Sequence, residues 1–320
     1  MMLLVFGLAI TLASFLAVNV VVSLAVSAAT PWRVRRLSGI PLRLRPRALF
    51  LLRMLPTAGG IAVATGLVIP AYLLYEPADA GEPLTLSLAV VAGAAVTLMV
   101  LGGVRAALAL FATAALVRRW MRSAEPVALP GAPVAAYRVR DGFPVFAVVG
   151  LRRARLFVSA QVLDALTPAE LAAAVAHERS HLDAGDNLKR LIMRAAPDLL
   201  ALLRASRTLE AEWAGAVESV ADERAAGGHG ERALALAAGL VKVARLAPSS
   251  DLALPVSALH DGGDVESRVR RLLAGPDEET AARARVTWPL WAGVAAVAVV
   301  LGTALPAVHQ VIELAARLLR

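Results

Sequence analysis

Long charge-free apolar runs flank a central stretch in which polar and apolar positions alternate at short range. The runs are Met1 to Thr30, Met54 to Tyr75, Leu84 to Val104 and Val286 to Val308. Each exceeds the roughly 20 residues with which a helix covers about 30 Å of hydrocarbon, and a core helix of a soluble domain is usually shorter and carries a polar stripe. The pattern predicts four transmembrane helices. Between the third and the fourth, "VAAYRVR", "FPVFAVVG" and "ARLFVS" have the β-branched and aromatic content of short strands, broken at Asp141-Gly142 and Gly150. A helix follows with a marked start: Thr167 at the N-cap, Pro168 in the first turn and Glu170 three residues after the cap form a capping box. "RTLEAEWAGAVESVADERAA" predicts a second helix, ended by "GGHG", and "DVESRVRRLLAG" a basic third one.

The expected fold class is a mainly α membrane protein: four transmembrane helices, with a cytosolic α+β domain inserted between spans three and four. The expected domains are 1–117, three transmembrane helices with a basic cytoplasmic loop at 31–53; 118–285, the cytosolic domain; and 286–320, the fourth transmembrane helix with a short external tail. A composition that is 58% hydrophobic agrees, being too apolar for a soluble protein of this size.

Charge orients the spans. Residues 31–53 hold seven arginines and no acid, whereas "YEPADAGEP" holds three acids and no base. The positive-inside rule then places the first loop in the cytoplasm, the second outside, the amino terminus outside and the central domain in the cytoplasm of a cell whose inner (plasma) membrane is crossed several times. Residues 118–285 hold 23 bases and 21 acids, so most of the net charge of +8 lies in the arginine loop. That excludes the basic stripe of a nucleic-acid-binding domain and points the arginines at anionic lipid. The first thirty residues lack the positive n-region of a signal peptide and read as an uncleaved anchor. With no cysteine, disulfides and thiolate metal sites are excluded.

The chemistry lies in "AHERSHLDAGDN", where His177, Glu178 and His181 spell H-E-x-x-H. On a helix, residues four apart share a face, so the two imidazoles can serve one metal, while Glu178, about 100° round, can reach a water on it. A catalytic zinc site needs a third protein ligand and leaves its fourth position to water. Glu218 and Asp222, also four apart, supply the candidates: Glu218 to close the shell, and Asp222 to hold the outer nitrogen of a ligand histidine. His229, in the Gly-rich turn, is a candidate oxyanion helper, with a solvated loop histidine as the plainer reading. His260 reads as surface and His309 as the external interface of the last span.

The order of strands, "LTPAEL", HExxH, an aspartate and a downstream E-x-x-x-D resembles the BlaR/MecR-type membrane zinc metallopeptidases, as does "VESRVRRLL". More distantly the chain is similar to the HtpX-like and CAAX-endopeptidase metalloproteases. The resemblance implies a gluzincin-type endopeptidase with Zn2+ held by His177, His181 and Glu218, Glu178 as catalytic base, and Asp222 and Asp186 as supporting acids. Its implied partners are a protein or peptide substrate, such as a cytosolic transcriptional repressor, and the lipid bilayer. Only about a dozen residues follow the last span, so the family's penicillin-binding sensor is not expected, and Ala221 stands where a cysteine is often found. Two rival readings are membrane-protein quality control and a signalling scaffold that cuts nothing; an intact Glu178 argues against the scaffold.

Overall fold

The computed structural model describes residues 2–37, 39–75, 84–140, 143–246 and 265–275. The expected fourth span, together with His260 and His309, lies outside them.

Three long apolar helices form one end of the molecule. Helix α1 is Met2–Leu37; α2 is Arg45–Val63, which passes through a π-helical turn at Ala64–Val68 into α3, Ile69–Tyr75; and α4 is Leu86–Met121. The π turn sits just before Pro70, which has no N–H for the Gly66 carbonyl, and a widened turn accommodates the missing bond. Candidate spans within these helices are Leu4–Trp32, Arg45–Leu74 and Leu86–Met121, long and apolar enough to cross a membrane, which suggests a membrane protein. The arginine-rich stretch is less of a loop than its charge implied. Helix α1 continues to Leu37 and α2 begins at Arg45, because charged residues do not break a helix that neighbouring elements support.

The remaining elements are β1 (Glu125–Val127), β2 (Ala136–Val139), β3 (Phe146–Val149) and β4 (Arg155–Ser159), then α5 (Ala160–Ala165), α6 (Pro168–Ala184), α7 (Asp186–Ala195), a 3-10 turn at Leu199–Leu202, α8 (Arg204–Ala226), α9 (Gly230–Leu246) and α10 (Val265–Ala274). The three expected strands are present, with β1 added. The sheet runs β1-β2-β4-β3, with β2 and β4 parallel and the other pairs antiparallel. One face packs Phe146, Val148, Leu156 and Val158 on α6 and α9, through Val175, Leu236 and Leu240. The other covers Val139, Val145, Ala147 and Phe157 with Trp120, at the end of α4. Helix α4 thus runs unbroken from the apolar bundle onto the sheet.

Two anchors fix the site against this frame. Thr167 caps α6 as its spacing predicted: its hydroxyl accepts from Glu170 N, and Glu170 Oε2 accepts from Thr167 N at 2.8 Å. Lys242 Nζ donates to Glu170 Oε2 at 2.7 Å and ties α9 to the same point. The second anchor joins α8 to the apolar helices. Leu209, Trp213, Ala216 and Val217 pack with Val26 of α1 and Leu49 of α2, and burial of such side chains is worth about 1.5–3 kcal/mol each.

Candidate metal centre

Helix α6 presents His177 and His181 on one face, and α8 crosses it with Glu218 and Asp222 on the facing side. All four side chains are buried, His177 completely. The Nε2 atoms of the two histidines lie 3.0 Å apart. Glu218 Oε2 is 3.3 Å from His177 Nε2, and its Oε1 is 3.5 Å from His181 Nε2. One donor atom from each of the three residues lies within 4.8 Å of the other two.

Carboxylates turn both imidazoles inward. His181 Nδ1 is 3.0 Å from Asp186 Oδ2, at the start of α7, and His177 Nδ1 is 3.0 Å from Asp222 Oδ1. The His177 contact is short, but its angle falls short of a well-formed hydrogen bond. Gly185, with φ 68°, ends α6 and turns the chain directly into Asp186. Arg268 of α10 closes the cluster: Nε and Nη2 reach the two oxygens of Asp222 at 2.8 and 2.7 Å, and Nη1 is 3.1 Å from Glu218 Oε2.

Burial opposes the charged form of every group here, and the partners decide the outcome. For His177, burial is outweighed by the close carboxylates of Asp222 and Glu218, which raise its pKa to about 9. For Glu218, burial is overcome by the charge of His181, the close approach of His177 and the charge of Arg268, which hold it well below the usual carboxylate range. Asp222 is likewise lowered against burial, by its bonds to Arg268 and His177. Glu178 goes the other way. Burial pushes its carboxyl up, and the charges of His181 and His177 and the amide of Val148 only partly offset it.

The donor set suits a divalent ion. Two imidazoles with inward Nε2 atoms, each with an acid 3.0 Å from its Nδ1, and one carboxylate could supply the three protein ligands that a catalytic site uses. Glu218 Oε2 is moreover a buried oxygen without a well-aligned hydrogen bond, despite its nearness to Arg268 and His177.

Glu178 Oε2 accepts from Val148 N at 2.8 Å, so the carboxylate rests on the open edge of the sheet, at β3. Asn187 Nδ2 donates to Val148 O at 3.2 Å and to Gly150 O at 3.4 Å. The outward backbone groups of Val148 are therefore taken by side chains of α6 and α7.

Of the residues singled out in the sequence, the structure brings together His177, Glu178, His181, Glu218, Asp222 and Asp186. It does not bring His229 to them. That ring is exposed, with Nδ1 2.9 Å from the Gly227 carbonyl oxygen in its own turn, because the Gly-rich break carries it off the end of α8. Arg268 and Asn187 were missed. A signal for Arg268 exists: with Val265, Val269 and Leu272 on the apolar face of α10, position 268 falls on that face too. Nothing local marks Asn187.

Fold and site together place a candidate metal centre, two imidazoles and a carboxylate, beside a small mixed sheet. A family model, peptidase family M48, matches residues 110–251 and supports the M48 metallopeptidase family. The match begins within α4 and ends before α10, so Arg268 lies beyond it. No curated protein and no solved structure matches the chain.

Proposed function

We propose that the chain is an integral-membrane, zinc-dependent endopeptidase of the gluzincin type, which cleaves a cytosolic or membrane-proximal protein in signalling or regulated proteolysis. The observation that carries this reading is the convergence of His177, His181 and Glu218 from two helices, with Glu178 one residue along from the first ligand. His177, His181 and Glu218 would hold the zinc, which when bound supplies Lewis acidity to a peptide carbonyl and to a water. Asp222 and Asp186 keep the imidazole tautomers fixed by holding each Nδ1. Glu178 has the raised pKa of a general base and acid: it takes a proton from the attacking water and returns it to the leaving amine. A substrate strand adding to β3 gains backbone recognition with little demand on sequence, and must exchange with Asn187 and Glu178 at Val148.

The nearer resemblance to BlaR/MecR-type enzymes and the cytoplasmic placement of the domain belong to the same proposal, resting on motif order and loop charge. Its test is zinc content and hydrolysis in one preparation. Wild type is expected to hold about one zinc per chain, as a three-ligand site does, and His181→Ala or Glu218→Ala to lose it. Glu178→Gln should keep zinc and fold but lose peptide hydrolysis. Stoichiometric zinc without Glu218 would refute the third ligand.

A further inference from the structure

Helices α7 and α8 form a hairpin that enters the bundle of apolar helices, and its tip carries a surface that the peptidase reading does not use. A β-carbon at Gly102 of α4 would clash with the Ala195 carbonyl oxygen, so the tip lies directly against that helix. Residues 109, 110 and 113 of α4 line one small cavity with residues 187, 190, 191 and 194 of α7. Helix α7 therefore runs antiparallel beside α4. Helix α8 returns beside α2 and the turn before it, pairing Arg53 with Glu210, Arg45 with Glu212 and, in that turn, Arg43 with Glu223.

Side chains of the apolar helices satisfy the non-helical backbone of the tip. Asn19 of α1 donates to Pro197 O and accepts from Leu199 N, and Ser23 Oγ accepts from Leu200 N. Arg105 of α4 donates to Ala196 O, and Arg53 of α2 to Met193 O and Asp198 Oδ2. Irregular backbone at or near membrane depth survives only when it is buried in protein in this way.

The same contacts give the depth. From Leu4 to Ser23, from Arg53 to Leu74 and from Leu86 to Arg105, each span has 20 to 22 residues on the far side of the tip. At 1.5 Å per residue each covers about 30 Å, the thickness of one hydrocarbon core. On all three helices the length beyond the tip agrees with a tip that lies near one membrane boundary. There Leu202 is 63% exposed, and Arg194 at the end of α7 and Arg204 and Arg207 in the first turn of α8 are exposed and make no ion pair among the described residues.

We infer that the hairpin tip is a lipid-binding surface. Leu202 enters the leaflet it faces, and Arg194, Arg204 and Arg207 take the phosphates of anionic phospholipids. The inference rests on the membrane reading of the three spans but not on catalysis. An exposed apolar side chain at the tip, with exposed arginines on the two helices that flank it, matches an anionic headgroup layer in both chemistry and position. It also means that the hairpin joining the histidine helix to the Glu218 helix is itself anchored in the membrane surface.

The native chain has no cysteine, so single labels are clean. An environment-sensitive dye would be placed on Leu202→Cys, on Val96→Cys in mid-span, and on Asp183→Cys at an exposed site of α6. Each labelled full-length chain would be reconstituted into vesicles of phosphatidylcholine and phosphatidylglycerol, with either lipid spin-labelled. The expected result is several-fold stronger quenching at position 202 by the phosphatidylglycerol label. That preference should vanish when Arg194, Arg204 and Arg207 are all changed to Gln, with position 96 quenched equally by both lipids and position 183 by neither. Equal quenching by the two lipids at 202, or none, with 96 still quenched, would overturn the inference alone. Absence of quenching at 96 as well would overturn the membrane reading and this inference with it.

Discussion

Replacing Arg268 by Met removes the cation that α10 places between the two acids of α8. Glu218 and Asp222 are 6% and 4% exposed at their side chains. In the metal-free protein they are compensated by Arg268 and by the imidazoles of His177 and His181, the acids in turn raising the His177 pKa to about 9 against burial. Without Arg268, the two buried carboxylates lose the one guanidinium that faces both and keep only imidazoles beside them. Breaking a buried ion pair from one side costs about 3–5 kcal/mol, which for a folded unit of this size lowers the unfolding midpoint by roughly 6–20 °C. A bound dication changes the balance, because it becomes the largest local charge and compensates the same carboxylates. The loss should therefore be clearly smaller in the zinc-loaded protein. The assay is thermal unfolding of chelator-treated and zinc-loaded protein in detergent, for wild type, Arg268→Met and Arg268→Lys. Lys keeps the charge but not the two-pronged grip on Asp222, and should fall between the others. An equal loss in the two metal states, or a loss below about 1 kcal/mol, the level of an exposed pair, would refute the reasoning.

Three further outcomes follow from the packing. Among the described residues, Arg53→Met leaves the fully buried Asp198 carboxylate with only the Thr57 hydroxyl and the Ala201 amide as donors; about 3–5 kcal/mol should be lost, and adding Asp198→Asn should recover part of it in a double-mutant cycle. Gly102→Ala forces the Ala195 carbonyl away from α4, and a loss of about 1–3 kcal/mol is expected, read as a lower unfolding midpoint and easier proteolysis of the α7–α8 connection. Glu170→Gln removes the ion pair with Lys242. Burial tends to raise the Glu170 pKa, but Lys242 and the Thr167 amide leave it lowered, so the pair stabilises the fold above the ordinary carboxylate range, and that stability is lost as pH falls through the folded pKa. With Lys242 partly exposed, the wild-type advantage should be under about 1 kcal/mol at neutral pH and disappear in acid unfolding curves.

Local rules decided much of this protein before any tertiary contact. Charge-free runs longer than a bilayer specify long apolar helices, whatever packs beside them. Thr167, Pro168 and Glu170 specify where α6 begins, because a capping box satisfies its own helix end. The four-residue spacing of His177 with His181, and of Glu218 with Asp222, puts each pair on one face, since 3.6 residues make a turn. What no local pattern could decide was which faces meet. Glu218 stands 37 positions after His181 in the sequence, and only the α7–α8 hairpin, folded back against α4 and α2, brings it within 3.5 Å. Arg268 reaches the same acids from a helix about fifty residues further on. Asn187 finds Val148 because Gly185 turns α7 alongside the sheet edge. Arg53, which the sequence assigned to a basic loop, is buried in the fold because Asp198 arrives beside it from the hairpin tip. Contacts of this kind depend on the three-dimensional path of the chain, and a one-dimensional pattern of hydrophobicity and charge carries no record of that path.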